Sequence, residues 1–425
     1  MKRRKTVGKR DSRVRRVWPN VVTPRREQGT GQRATAERRR KSAAFATGKS
    51  SLDGGVLTST AVLMGLGVVM IYSTTAPMAM DHLVPPHFLR HLVALGLALS
   101  CAAIAFHLPL LFWRRIACPL WITCVVLLVL TLVVGIEVKG SSRWLVVPLL
   151  GVRFQPAELA KLAAVLAVAA TLSRSQERET VSNRQIQGAA GFAVIPAALL
   201  LRQPDLGNAA LLVVLVGLLV FVAGAPLRRL ALPGLGAAIA TALFVSGNGY
   251  ARRRVTGFLH PWERASSEGF QLVQSFVAFG RGGAAGVGIG DGRQKLGYLP
   301  EVHTDFILSA LGEELGLVGV LVVLGAFAAL AIAGLRIAGR ARDPFALLVA
   351  FGMTTLLVIP AAINAAVVMG VLPTTGFTLP FLSYGRVSLI TCGLAVGILL
   401  RIGAVEAAPQ EARVAGAARR GLVHT

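Results

Sequence analysis

Charge is scarce in this 425-residue chain, at 15% of residues, and negative charge is scarcer still, with 20 Asp and Glu against 45 Lys and Arg. Soluble domains carry about a quarter charged residues, so an ordinary soluble fold is excluded, and 54% hydrophobic residues exclude a disordered chain. Cysteine is nearly absent. Cys101, Cys118, Cys124 and Cys392 stand singly in apolar runs, with no CxxC and no His at ligand spacing, so neither a zinc nor a redox site is expected and the four read as small buried hydrophobes. A cleavable signal peptide is also missing, because some fifty charged and polar residues precede the first apolar stretch at Gly55; the first span is expected to be retained. The glycine-rich run 280–290 has neither Walker nor dinucleotide spacing and follows no strand, which leaves a flexible loop or close backbone packing.

Long apolar runs are what the chain has in excess, at a mean hydropathy of +0.63. About 20 apolar residues cross the ~30 Å hydrocarbon layer. By that measure ten spans are expected, at 55–74, 87–106, 116–136, 156–173, 187–203, 207–225, 229–247, 306–336, 344–370 and 381–402. Spanning backbone must satisfy its own hydrogen bonds, so the expected fold class is all-α, a polytopic membrane protein.

The formal charge of +25 is uneven. Residues 1–50 hold 17 Lys and Arg against 3 Asp and Glu, a net +14, and read as a basic disordered cytoplasmic tail. Anionic lipid headgroups account for such a tail without nucleic acid. With it inside, short inner loops carry Arg114 and Arg115, then Arg174, Arg178 and Arg184, then Arg228 and Arg229, then Arg336, Arg340 and Arg342, as the positive-inside bias requires. Both termini then lie in the cytoplasm, with 51–403 as the membrane domain and 404–425 as a C-terminal tail. Two outer loops run against the bias: Lys139, Arg143 and Arg153 in one, and Arg252, Arg253, Arg254, Arg264, Arg281, Arg293 and Lys295 in the long loop at about 248–305. A long loop translocates whatever its charge, but an anionic substrate at the outer face accounts for these cations more fully.

Chemistry-bearing residues concentrate at that face. Pro156 stands where a helix tolerates proline, Glu158 and Lys161 are three apart and able to pair, and Lys161 with Arg153 forms a cationic site suited to phosphate. Asp305 stands where the long loop becomes a helix, a position that suits a cap or an acid alike. Glu313 and Glu314 follow within the apolar run, and ionisable groups there point to a hydrated cavity.

Several stretches together resemble the SEDS family (shape, elongation, division and sporulation) of peptidoglycan glycosyltransferases. They are Gln155-Pro156-Ala157-Glu158-Leu159-Ala160-Lys161, Gln203-Pro204-Asp205-Leu206-Gly207, Gly269-Phe270-Gln271 with Gln274-Ser275, Leu299-Pro300-Glu301 with His303-Thr304-Asp305-Phe306, Gly312-Glu313-Glu314-Leu315-Gly316, and Leu372-Pro373-Thr374-Thr375-Gly376 through Ser383-Tyr384-Gly385. The resemblance covers about residues 55–403, in order, and its loop wording is closer to the division branch than to the elongation branch. It implies a ten-helix enzyme that polymerises lipid II at the outer face of the bacterial cytoplasmic membrane, at the septum, beside a class B penicillin-binding protein and other division proteins. It places the functional aspartate on Asp305 and the basic pair on Arg153 and Lys161.

Sugar transfer from a lipid pyrophosphate needs a base and a counter-charge for the leaving group. Asp305 is the candidate base. Arg153 and Lys161 are the candidate pyrophosphate ligands, with Arg254 in reserve. Glu301 and His303 are assigned to orienting Asp305 or the sugar, and Glu158, Glu313, Glu314, Pro373 and Ser383 to the cavity. A divalent cation, Mg or Mn, would share the pyrophosphate charge, although no dedicated cage is visible. A lipid II flippase is the competing function; it would need charges reaching the inner half of the membrane, whereas the motif residues gather at the outer side. The chain departs from the family pattern at Arg386, where a second glycine is usual, at Asn208 for threonine, at Phe270 for tyrosine, and at Ala361 or Ala362 for a polar residue ahead of Asn364. These positions bear on the cavity lining and acceptor preference.

Overall fold

The computed structural model describes residues 52–78, 84–138, 141–147, 152–175 and 181–421. The chain divides into two units, Met1–Lys49 and Ser50–Thr425. The basic tail, Lys139 and Arg178 lie outside the described residues.

The second unit is a helical membrane bundle. Its helices are α1 (Gly54–Thr75), α2 (Pro86–His107), α3 (Leu110–Val134), α4 (Pro156–Leu172), α5 (Asn183–Arg202), α6 (Leu206–Val222), α7 (Leu227–Gly247), α8 (Gly249–Leu259), α9 (Phe270–Gly282), α10 (Ile307–Arg340), α11 (Pro344–Val368) and α12 (Arg386–Gly421). Local signals set the starts. The Asp53 carboxylate accepts from Gly55 N at 3.0 Å and Val56 N at 3.2 Å to cap α1, and proline occupies the first turn of α2, α4 and α11.

Eight of these helices are long and apolar enough to cross a membrane. The exceptions among the ten expected spans are α4 and α6, of 17 residues each, or about 25 Å at the helical rise. For α4 the reason is its position. It packs against α3, α5, α6, α11 and α12, and every residue from Ala160 to Ala170 is buried, so protein encloses it and no match to lipid thickness is required. At the other extreme, α7 buries no residue and packs mainly on α6 and α8.

The two loops whose cations run against the positive-inside bias are more structured than their composition suggests. Between α3 and α4 runs an antiparallel sheet of β1 (Ile136–Val138), β2 (Ser141–Val147) and β3 (Val152–Phe154), with Trp144 opposite Ile136 and Val146 opposite Arg153. Arg143 ties it to the α5–α6 turn through the carbonyls of Gln203 and Pro204. The long loop contains α8 and α9. The last span opens at Arg386 and not at 381, and its helix continues into the expected C-terminal tail as far as Gly421.

The glycine-rich run packs closely against a break in α10. Gly316 has φ 66°, which interrupts the helix. The groups freed there bond the run instead: Val287 N and Gly288 N donate to the carbonyls of Glu313 and Glu314 at 3.0 and 3.1 Å, and Leu317 N donates to Gly283 O at 3.0 Å. A β-carbon on Gly316 would strike the backbone of Gly286 and Ala284. Gly316→Ala therefore combines a left-handed φ with a backbone clash, an expected loss of about 3 kcal/mol. Gly325→Ala, later in the same helix with open space at its β-position, is the control. Thermal unfolding in detergent should show a large fall for the first and little change for the second; equal shifts would contradict this account of the break.

Candidate functional site

The segment before α10 is fixed by its backbone. Three consecutive carbonyls each accept one hydrogen bond from another element: His303 O from Tyr384 N at 2.8 Å, Thr304 O from Ser383 Oγ at 2.6 Å, and Asp305 O from Asn364 Nδ2 at 2.7 Å. Glu301 begins the turn at φ 59°. Its carbonyl accepts from Thr304 N at 3.0 Å and its Oε2 from Thr304 Oγ1 at 3.0 Å, so its carboxylate orients Thr304. The His303 ring belongs to an edge-to-face cluster with His87 at 5.9 Å and Tyr384 at 5.8 Å, against the start of α2.

Asp305 opens onto a small cleft shared with Arg254, Gln271, Asn364 and residues 374–377. Arg254, on α8, is held by its own contacts: Nη1 donates to Thr374 O at 3.0 Å, and the guanidinium lies 4.7 Å from the Tyr250 ring centroid. Pro373, half-buried, leads the chain into Thr374. Gly376 has φ 79°, and a β-carbon there would lie 3.5 Å from Asp305 Oδ2 and 3.9 Å from Arg254 Nη1. A carboxylate and a guanidinium therefore face the same bare backbone. Asn364 Oδ1 and Thr375 Oγ1 are buried beside them without a hydrogen-bond partner.

Lys161 lies elsewhere. It is 2% exposed, and its Nζ donates to Glu158 Oε1 at 2.8 Å and to Asn208 Oδ1 at 2.9 Å. Asn208 Nδ2 in turn donates to Asp205 Oδ2 at 2.9 Å. The pair lines a second small cleft, and Phe377 lines both clefts, with Lys161 Nζ 5.9 Å from its ring centroid. Arg153, on β3, is exposed and lines neither. The expected Arg153–Lys161 anion site is thus not assembled: Lys161 has a carboxylate partner behind Phe377, and Arg254 is the cation beside Asp305.

Glu313 and Glu314 also correct an expectation. Each is 1% exposed, and in place of a hydrated cavity they form a polar clamp on the long loop. Glu313 Oε1 accepts from Arg281 Nη1 at 2.7 Å and Arg293 N at 3.0 Å, and its Oε2 from Gln294 N at 3.0 Å. Glu314 Oε1 accepts from Lys295 Nζ at 2.8 Å and Ser73 Oγ at 2.6 Å, and its Oε2 from Gly290 N at 3.1 Å. Two cations of the long loop, Arg281 and Lys295, are thereby committed to loop structure. Arg253 and Arg264 both stand 3.6 Å from Glu268, outside the membrane; a hydrogen bond from Ser267 and one from its own backbone amide, with these arginines, hold its carboxyl below the usual range.

Sequence reasoning named Gln271 only within a motif and Asn208 only as a departure from the family pattern, and it did not single out Asn364, Phe377 or the His87 contact as site residues. The signal available for Asn364 was a lone amide in an apolar helix, which needs a partner.

The FtsW, RodA and SpoVE family, described as cell cycle proteins, matches residues 55–407. A probable peptidoglycan glycosyltransferase FtsW of Geobacter metallireducens is 41% identical over 82% of this chain and 93% of its own length. One of the same name from Methylomonas methanica is 38% identical over 83% and 92%. Among solved structures, a chain from work on the structural coordination of polymerization and crosslinking by a peptidoglycan synthase complex superposes with a TM-score of 0.70 at 32% identity, covering 83% of this chain and 98% of its own. The rod shape determining protein RodA of Thermus thermophilus gives 0.62 at 29%, covering 83% and 97%.

The clamp makes a stability prediction. Removing one partner of a buried ion pair leaves an uncompensated charge and costs about 3–5 kcal/mol, whereas removing both is far milder. Lys295→Met alone should lower the thermal midpoint strongly, and Lys295→Met with Glu314→Gln should recover most of the loss. An additive double variant would show that the pair is not coupled.

Proposed function

The chain belongs to the FtsW, RodA and SpoVE family of cell cycle proteins, and from that membership and the Asp305 cleft we propose that this peptidoglycan glycosyltransferase polymerises lipid II, a polyprenyl-pyrophosphate-linked disaccharide peptide. The observation that carries the reading is the convergence of Asp305 Oδ2 and Arg254 Nη1 on Gly376. A hydroxyl of one sugar attacks the anomeric carbon of another. A new C–O bond forms, the bond from that carbon to the pyrophosphate oxygen breaks, and the polyprenyl pyrophosphate leaves with the electron pair.

Asp305 takes the hydroxyl proton as general base. Arg254 faces the charge that develops on the leaving group, and its contacts with Thr374 and Tyr250 fix it before substrate arrives, so little reorganisation is needed during transfer. Asn364 Oδ1 and Thr375 Oγ1 are placed to accept hydrogen bonds from sugar hydroxyls. Among the described residues no three His, Cys, Asp or Glu side chains gather at metal-binding distances. A Mg or Mn ion held by the pyrophosphate would share its charge.

The face carrying residues 248–306 is the outer face of the bacterial cytoplasmic membrane, the septum is the site of work, and the partner is a class B penicillin-binding protein that crosslinks the product. Relatives named FtsW at 38–41% identity support the division role over elongation, and similarity to a chain from a polymerising and crosslinking complex supports the partner.

With the partner present and labelled lipid II supplied, Asp305→Asn should lower polymerisation by about 10²–10⁴-fold, the range for a lost general base. Arg254→Ala should cost about 10²-fold or more, while Arg153→Ala should change little. Glycan product on a gel is the readout. Normal polymer from Asp305→Asn removes the catalytic assignment, and translocation of lipid II across liposomes without polymer would point to a flippase.

A further inference from the structure

Arg386 is a cation that neither the loop clamp nor the transfer step uses. It opens α12 where the family pattern usually has a glycine, and no acid stands in the first turn of that helix. A positive charge at a helix N-terminus opposes the dipole, so the position gains from an anionic partner. The protein does not supply one: half-buried Arg386 makes no hydrogen bond or ion pair with any described residue. Tyr384, two residues earlier, has three imidazoles around its ring, with centroids at 5.5 Å for His87, 5.8 Å for His303 and 6.5 Å for His91. His87 and His91 stand one turn apart on α2. That helix runs parallel to α12, because a β-carbon on Gly393 would strike Ala98 O and one on Gly397 would strike Ala102 O. The register places position 386 level with His91, on the stripe of α12 that faces α2, since 386, 393 and 397 share one helix face. His91 is 1% exposed, and its Nε2 is buried without a hydrogen-bond partner.

We propose that Arg386, with His87, His91 and Tyr384, binds a lipid phosphate: the pyrophosphate of the acceptor substrate, which is retained when the donor's departs. The inference rests on the polymerase reading above. Joining two polyprenyl-pyrophosphate-linked sugars brings two pyrophosphates to the protein, and Arg254 beside Asp305 serves the one that leaves. The acceptor's own sugars separate its attacking hydroxyl from its pyrophosphate, so the cation for that group has to stand away from the base. Arg386 meets this condition. It lines neither cleft, yet it is tied to the catalytic segment, since Tyr384 N donates to His303 O and Ser383 Oγ to Thr304 O. A planar guanidinium fork, imidazole N–H groups and a phenol suit phosphate oxygens. Leu89, Val93 and Leu97 of α2 are exposed and give a polyprenyl chain apolar surface to follow.

The retained pyrophosphate carries the same charge before and during transfer, so its contacts bind ground state and transition state equally. With the partner present, Arg386→Gln should raise the KM for lipid II several-fold in the first coupling, where both substrates are lipid II, and leave kcat within about twofold. Arg386→Lys, which keeps the charge without the fork, should recover part of the loss. Arg254→Ala, by contrast, should act on kcat, because it faces charge that develops. The initial rate of coupling is read in detergent without phospholipid, then in phosphatidylcholine vesicles with and without phosphatidylglycerol. An unchanged KM, or a fall in kcat without a rise in KM, overturns the acceptor site. So does an effect confined to vesicles containing phosphatidylglycerol, which would assign the phosphate to bulk phospholipid. Polymer from Asp305→Asn would instead remove the polymerase assignment itself, whatever Arg386 does.

Discussion

A carboxylate at 1% exposure is stable only when its oxygens are paired, and two adjacent ones double the requirement. Glu313 and Glu314 meet it by recruiting backbone amides at 290, 293 and 294, the side chains of Arg281 and Lys295, and Ser73 from α1. The recruited groups are loop, so the long loop is drawn onto the bundle. The break at Gly316 belongs to the same construction, because the groups it frees bond the glycine-rich run, and only glycine admits that approach. Between this clamp and the start of α10 lies the Asp305 segment. With one end fixed by Lys295 and the other by α10, the three carbonyls at 303–305 can be held by Tyr384, Ser383 and Asn364 in one register.

The cations of these two loops therefore do different work. Arg281 and Lys295 neutralise the clamp, Arg143 holds the small sheet to the α5–α6 turn, and Arg253 and Arg264 share Glu268. Their placement against the positive-inside bias reflects loop construction as much as substrate. Arg254, like Arg143, makes its described hydrogen bonds to backbone carbonyl, and an aromatic face covers its guanidinium.

Hydropathy made the helices legible, since long apolar runs admit few other structures in a membrane. It could not show the sheet between α3 and α4, whose strands of three and seven residues leave too short a pattern, nor α8 and α9 within the loop. In the cleft, Asp305 was visible because a charge at a helix start is conspicuous. The Glu158–Lys161 pair was visible because a spacing of three is local. Asn208 and Asn364 were not, because an amide's partner is set by tertiary contact: 47 residues separate Lys161 from Asn208, and 59 separate Asn364 from Asp305. Arg153 misled for the complementary reason. Its sequence proximity to Lys161 suggested a shared anion site, but Arg153 ends on an exposed strand while Lys161 turns into the bundle.

The pairing of Lys161 also bears on how the site stores charge. Glu158 offsets it, so the second cleft presents a neutral pair with the hydroxyls of Thr378, Ser388 and Thr391. In the first cleft Arg254 stands beside Asp305, held by a carbonyl and an aromatic face. A polymerase that must release a lipid pyrophosphate after every bond gains from such asymmetry: one cation strengthens the departing charge in the transition state, whereas a second unpaired one would bind the product as tightly as the transition state and slow its departure. Phe377 thus stands between the paired Lys161 and the cleft that Arg254 shares with Asp305.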